Sequence, residues 1–139
     1  MGYDFILLRM RQKPASCPAR IPADFGAESV IPVDAAGPLH EAVRASPSFE
    51  PDTVTFDGPR LVWHTPDGGM LDVNVMAQGV NIDTHAHWDH VAQLFDLALG
   101  VWPETALFDQ RAAPVHDPAS FRAFVERSDR GKPDPGEAA

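Results

Sequence analysis

Apolar and polar residues alternate along much of the chain, and turn dipeptides separate the alternating runs. In the segment Met70–Met76, Leu71, Val73 and Val75 fall on one side of an extended chain and polar residues fall on the other. This period of two is typical of a strand with one buried face. The same pattern predicts strands at Tyr3–Met10, Thr53–Phe56, Arg60–His64, Met70–Met76 and Val80–Thr84, and two further short candidates lie at Thr105–Phe108 and Pro114–His116.

A period of 3.6 residues replaces the alternation in the second half of the chain. Val91, Leu94 and Phe95 begin the apolar stripe of a helix over about residues 89–101, with Asp89 as the predicted N-cap. This is the strongest helical signal in the sequence. We expect the stripe to cover the apolar face of the sheet.

Two shorter helices are predicted on either side of this main helix. One lies near residues 38–45, where Pro38 suits a first helical turn. The other lies near residues 118–126, with Asp117 or Ser120 as a candidate cap. Together these elements predict an α+β fold, in which one main helix covers one face of a single antiparallel sheet of about five to six strands.

The remaining segments have little periodicity. Arg11–Gly37 contains several prolines and is predicted to be a long irregular connection. Residues 128–139 are polar and are predicted to be a disordered tail. Because 139 residues is the usual size of one domain, we expect a single α+β domain over residues 1–127, followed by that tail.

The formal net charge of −9 restricts the classes of partner. Phosphate backbones and anionic lipids repel such a surface, so neither nucleic acid nor membrane is an expected partner. A basic protein is the expected partner, because complementary charge accelerates association. The sequence does not indicate an oligomeric state.

Cysteine content and terminal motifs indicate a cytoplasmic protein. Cys17 is the one cysteine, so an internal disulfide and a cysteine-based zinc cage are both excluded. The N-terminal residues resemble neither a signal peptide nor a myristoylation signal, and no run of about 20 apolar residues predicts a membrane span.

The segment Thr84–His90 contains the densest group of metal-ligand side chains. His85, His87, Asp89 and His90 resemble the HxHxDH signature of the metallo-β-lactamase superfamily. That resemblance implies a metal-dependent hydrolase in which these four residues hold zinc and a metal-bound water attacks the substrate.

We interpret this match as incidental. The superfamily's four-layer fold needs a longer chain than the residues that follow His90 provide. Its later metal ligands also lack counterparts, since His116 is the one histidine downstream of His90. We therefore predict no catalytic residue, no cofactor and no bound metal. The four residues are ligands only under the alternative hydrolase hypothesis.

Weaker motifs spread over about two-thirds of the chain resemble a group of small bacterial proteins. The matching pieces are Met1-Gly2-Tyr3-Asp4, Trp63 with Asp67-Gly68-Gly69, Val80–Asp83, the helix from Asp89, and Phe108-Asp109-Gln110. Several proteins of this group are similar to immunity proteins, which protect a producing cell from a secreted toxin. The resemblance implies a non-enzymatic cytoplasmic inhibitor that binds and neutralises one cognate bacterial toxin.

A candidate contact surface follows from this hypothesis. It comprises the connection Arg11–Gly37 and an acidic edge formed by Asp52, Asp57, Asp67 and Asp72. A third hypothesis, an accessory subunit of a larger complex, also stays open.

Overall fold

The computed structural model describes residues 2–21, 23–110 and 114–128. Within these residues the chain forms eight strands and three α-helices. The strands are β1 (Tyr3–Arg9), β2 (Ala19–Arg20), β3 (Val54–Asp57), β4 (Arg60–His64), β5 (Met70–Met76), β6 (Gly79–Thr84), β7 (Thr105–Asp109) and β8 (Pro114–His116). The helices are α1 (Gly37–Ala45), α2 (Trp88–Val101) and α3 (Pro118–Arg127). The predicted α+β class and the single antiparallel sheet are confirmed.

The predicted number of five to six strands is wrong, because the sheet has eight. The connection Arg11–Gly37 contributes the additional strand β2, in which Ala19 pairs with Val115 and Arg20 with Pro114. A two-residue strand carries no detectable alternation, so its pairing follows from tertiary contacts alone.

The strand order in the sheet is β2-β8-β7-β1-β6-β5-β4-β3, and every pairing is antiparallel. Strands β3 to β6 are consecutive hairpins. Gly58 adopts a φ of 58° at the β3–β4 turn, which glycine accepts without a steric penalty. The first strand lies in the middle of the sheet, between β6 and β7.

The main core lies between one face of the sheet and the three helices. Helix α2 buries Val91, Leu94, Phe95 and Ala98, all 0% exposed, so the predicted stripe is confirmed. Burial of a side chain such as Phe95 contributes about 1.5–3 kcal/mol. Helices α1 and α3 both pack on α2, so three helices cover this face where one main helix was expected.

A second apolar cluster covers part of the opposite face of the sheet. Phe25 from the connection lies on Phe108 of β7, with ring centroids 5.5 Å apart. The cluster's buried residues are Leu8, Met10, Val30, Ala106, Phe108 and Val115. The connection therefore covers β1, β7 and β8 on this side and leaves the polar face of β4 to β6 open.

The predicted tail, residues 128–139, lies outside the described residues except for Ser128. Within the described part of the chain, none of the helices combines the length and apolar character that a bilayer crossing requires.

Candidate functional site

The histidine-rich segment forms the junction between β6 and α2. His87 is the N-cap of α2, and its Nδ1 accepts the backbone N–H of Asp89 at 3.0 Å. Nδ1 carries no proton in this arrangement, because it acts as an acceptor. The prediction of Asp89 as N-cap is therefore wrong by two residues. An imidazole nitrogen here accepts the hydrogen bond that a side-chain oxygen of Ser, Thr, Asp or Asn usually accepts at a helix N-terminus.

The Asp67 carboxylate joins this junction to the turn between β4 and β5. Its Oδ2 accepts the N–H of His87 at 3.0 Å, and its Oδ1 accepts the N–H of Gly69 at 3.1 Å and the hydroxyl of Thr65. Burial raises the pKa of Asp67, but these hydrogen bonds and nearby His90 outweigh it and bring the pKa below its usual value. Asp67 is thus a structural residue of the junction.

The other two histidines of the segment have separate local partners. His90 Nδ1 lies 3.1 Å from Gln93 Oε1, and the ring meets Trp63 edge-on at 5.1 Å. His85 Nε2 lies 3.5 Å from Asp83 Oδ2. His90 Nε2 also lies 3.8 Å from Asp67 Oδ2, so His90 and the backbone of His87 face the same carboxylate, whereas His85 faces Asp83.

No shared metal site forms from these side chains. Across residues 2–21, 23–110 and 114–128, no three His, Cys, Asp or Glu residues are arranged to hold a metal ion. The structure brings His85, His87, Asp89 and His90 into one turn, but Asp89 is 66% exposed and its carboxylate lies 3.4 Å from His87 Nδ1. In this arrangement the motif serves as a strand-to-helix connection.

A row of three aspartates crosses the open face of the sheet. Asp4 of β1 is directly opposite Asp83 of β6, and Asp83 is directly opposite Asp72 of β5. Directly opposed side chains in antiparallel strands have Cβ atoms about 4.5–5.5 Å apart, and like charges at that distance destabilise a sheet. We call these residues the acidic row.

The three carboxylates of the acidic row differ in whether a cationic side chain neutralises them. Arg60 holds Asp72 with two hydrogen bonds, Nε to Oδ1 and Nη2 to Oδ2, each 2.9 Å long. These bonds are the main cause of the lowered pKa of Asp72. Within the described residues, neither Asp4 nor Asp83 pairs with a lysine or arginine. Two of the three carboxylates thus lack a strong cationic partner there.

Neutral amides surround the acidic row. Asn81 precedes Asp83 by two residues on the same face of β6 and is opposite Asn74 of β5. The side chain of Gln110 donates to Asn81 Oδ1 at 3.5 Å. These groups line a depression of about 330 Å³ on the open face. The depression combines negative charge with hydrogen-bonding groups and little apolar surface.

The predicted acidic edge is only partly one surface. Asp72 belongs to the acidic row, and Asp57 lies opposite Arg60 at the β3–β4 turn. Asp67 is committed to the helix junction, and Asp52 lies in a short 3₁₀ turn before β3. Asp4 and Asp83 were not predicted to belong to this surface. The alternation of each residue with buried neighbours is visible in the sequence, but the pairing of β1 with β6 is not.

Comparison with protein-family models, curated proteins and solved structures gives no match. The function is therefore inferred from the geometry and charge of the molecule itself.

Proposed function

We propose that this protein is a non-enzymatic protein-binding domain that binds a basic partner through the acidic row and the open sheet face around it. The placement of Asp4, Asp83 and Asp72 in register on three strands carries this proposal. Like charges directly opposite each other destabilise a sheet, and Arg60 neutralises Asp72 but not the Asp4–Asp83 pair. A cationic side chain of a partner would relieve that repulsion on binding.

Arg60 shows how such a cation can bind. Its guanidinium lies on the open face and takes both oxygens of Asp72. Asp4 and Asp83 lack such an arginine within the described residues, and His85 Nε2 lies 3.5 Å from Asp83, so a lysine or arginine of the partner can bind at this pair. The amides of Asn74, Asn81 and Gln110 supply further hydrogen bonds, which favour a specific geometry over simple charge attraction.

The charge of the whole chain supports the same partner class. A net charge of −9 attracts a basic protein over several ångströms and raises the rate of encounter at low ionic strength. The connection that carries Phe25 covers the neighbouring part of the same face. It therefore borders the acidic row and is a candidate for additional contacts.

A cognate bacterial toxin is the partner that we propose. The resemblance to immunity proteins supports it, and so does the charge. A toxin that acts on nucleic acid or nucleotides needs a basic cleft, and an acidic inhibitor can occupy that cleft. The protein would then be a cytoplasmic immunity protein.

The test is co-expression with the product of the adjacent reading frame, followed by calorimetric titration of the purified pair. We expect growth rescue, a complex that weakens with salt, and a Kd at least about tenfold higher in the double variant Asp4→Asn/Asp83→Asn. Glu126→Gln removes a charge at an exposed position of α3 and is the matched control. Absence of rescue and of a complex would reject the toxin, and an unaffected double variant would reject the acidic row as the binding surface.

A further inference from the structure

Helix α3 is attached to the sheet next to a buried histidine. His116, at the end of β8, is 2% exposed, and its ring lies 5.6 Å from Phe121 and 5.3 Å from Phe124. Phe121 continues onto Phe5 of β1, and Phe124 stacks on Trp88 of α2. These aromatic contacts hold α3 against the sheet and α2.

The hydrogen bonds at the start of α3 define where the proton of His116 lies. Ser120 Oγ donates to the carbonyl of Asp117 at 3.2 Å and accepts the backbone N–H of Asp117 at 3.1 Å. With its single hydrogen on that carbonyl, the hydroxyl accepts from His116 Nδ1, which lies 2.9 Å from Ser120 Oγ.

The second ring nitrogen then carries a buried lone pair. His116 Nε2 has no hydrogen-bond partner among the described residues. A proton added there would place an N–H group and a positive charge in a site enclosed by aromatic rings. Burial of an uncompensated charge is unfavourable, so the site disfavours the protonated ring.

We propose that α3 is an acid-sensitive clasp, which protonation of His116 releases from the sheet. Release gives the imidazolium access to water and uncovers Phe121, Phe124 and the aromatic residues beneath them. The proposal is independent of the binding role proposed for the acidic row, because α3 packs on the opposite side of the sheet.

Charged groups near His116 modulate this clasp. Asp109 of β7 is buried and accepts a hydrogen bond from Tyr3 at 2.7 Å, and Asp117 lies at the start of α3. Both favour the protonated ring, whereas Arg127 at the end of α3 opposes it. Burial outweighs the two carboxylates and lowers the pKa of His116 below its usual value.

The experiment measures hydrogen-exchange protection factors for α3 and for β5 in the whole protein between pH 8 and pH 5.5. Because an exposed histidine has a pKa near 6.5, we expect α3 protection to fall by up to about tenfold at pH 5.5. At both pH values α3 should be less protected than β5, because β5 exchanges through global unfolding and α3 through local release. Constant α3 protection, or α3 protection equal to that of β5 at both pH values, would overturn the proposal.

Two variants isolate His116. His116→Gln should abolish the pH response of α3, whereas His40→Gln, at the other buried histidine, should keep it. A pH response that persists in His116→Gln would contradict the clasp. If that variant does not fold, NMR titration of wild-type protein replaces it. A His116 ring that titrates at or above pH 6.5 while α3 stays protected would also overturn the proposal.

Discussion

The backbone N–H of His87 donates to the Asp67 carboxylate at 3.0 Å, so the β4–β5 turn and the start of α2 form one hydrogen-bonded unit. Asp67 also accepts the hydroxyl of Thr65 and the N–H of Gly69. Removal of the carboxylate leaves these donors without their partner. Asp67→Ala should lower the free energy of unfolding by about 1–3 kcal/mol, measured by urea titration. Asp89→Ala, at an exposed carboxylate in the same segment, should change it by less than about 0.5 kcal/mol.

The N-cap role of His87 distinguishes a structural motif from a metal site. His87→Ala should cost about 0.5–2 kcal/mol, because the N–H of Asp89 loses its acceptor. His87→Asn and His87→Ser supply another acceptor and should restore most of that stability. Equal losses in all three variants would contradict the capping role.

Elemental analysis of the same proteins tests the hydrolase alternative. We expect no stoichiometric zinc, iron or manganese in untagged wild-type protein. Stoichiometric metal that disappears in the stable variant His87→Asn would establish His85, His87, Asp89 and His90 as ligands and would replace the present interpretation.

Gly69 and Gly100 differ in the space that is available for a side chain, so the same substitution should change stability in opposite directions at the two positions. A Cβ at Gly69 would lie 2.6 Å from Ala86 Cβ and 2.6 Å from the carbonyl oxygen of His85, whereas a Cβ at Gly100 would meet nothing within 4 Å. Gly69→Ala should therefore destabilise the protein by about 1–3 kcal/mol through overpacking. Gly100→Ala, in the last turn of α2, should stabilise it by about 0.4–1 kcal/mol. Thermal unfolding of both variants measures the difference, and equal shifts in Tm would contradict the close contact.

The acidic row should cost stability in the free protein. Asp83→Asn removes the charge that is opposite both Asp4 and Asp72, so it should raise the free energy of unfolding by about 0.2–1 kcal/mol at low salt. The gain should shrink in 1 M salt, which screens the repulsion. Glu126→Gln, at an exposed position of α3, should leave stability unchanged. A destabilised Asp83→Asn variant would show that Asp83 has a favourable structural role.

Buried histidines should make the protein less stable in mild acid. Burial, with a smaller effect of Arg44, lowers the pKa of His40 below its usual value, and burial does the same for His116. The unfolded chain then binds protons more readily than the folded one. Stability is complete above about pH 6.5 and falls as the pH decreases, by at most about 1.4 kcal/mol per pH unit for each group.

Urea midpoints at pH 8 and pH 5.5 measure this loss. His40→Gln should reduce the difference between the two midpoints, because one of the two buried rings no longer titrates. An unchanged difference in His40→Gln would show that His40 is hydrated or paired in solution.

Local patterns predicted much of the fold. The alternation around Leu71, Val73 and Val75 located β5 at the residues where it lies, and the stripe through Phe95 located α2. Because each of these elements buries one face, its apolar residues recur in the sequence with the period of a strand or a helix. The short strand β2 carries no such pattern, so it was not among the predicted strands, and the short strands β7 and β8 were only candidates.

The candidate surface was harder to predict, because it depends on which strands become neighbours. Asp4 and Asp83 are distant in sequence, and only the pairing of β1 with β6 places them side by side. Asp67 and Asp72 looked equivalent in sequence, yet one holds a helix start and the other lies on the open face. Composition identified an acidic surface but not its arrangement.

The central position of β1 has a consequence for how the chain folds. Tyr3 pairs with Thr84 and Arg9 pairs with Thr105, so β1 can pair on both sides only after the much later strands β6 and β7 have been synthesised. The hairpins from β3 to β6 close short loops and can form early, whereas insertion of β1 requires the closure of long ones. Until that step, the side chains that β1 buries in the folded protein, Tyr3, Phe5 and Leu7, stay exposed to water. The nascent chain then exposes an apolar strand that chaperones can recognise.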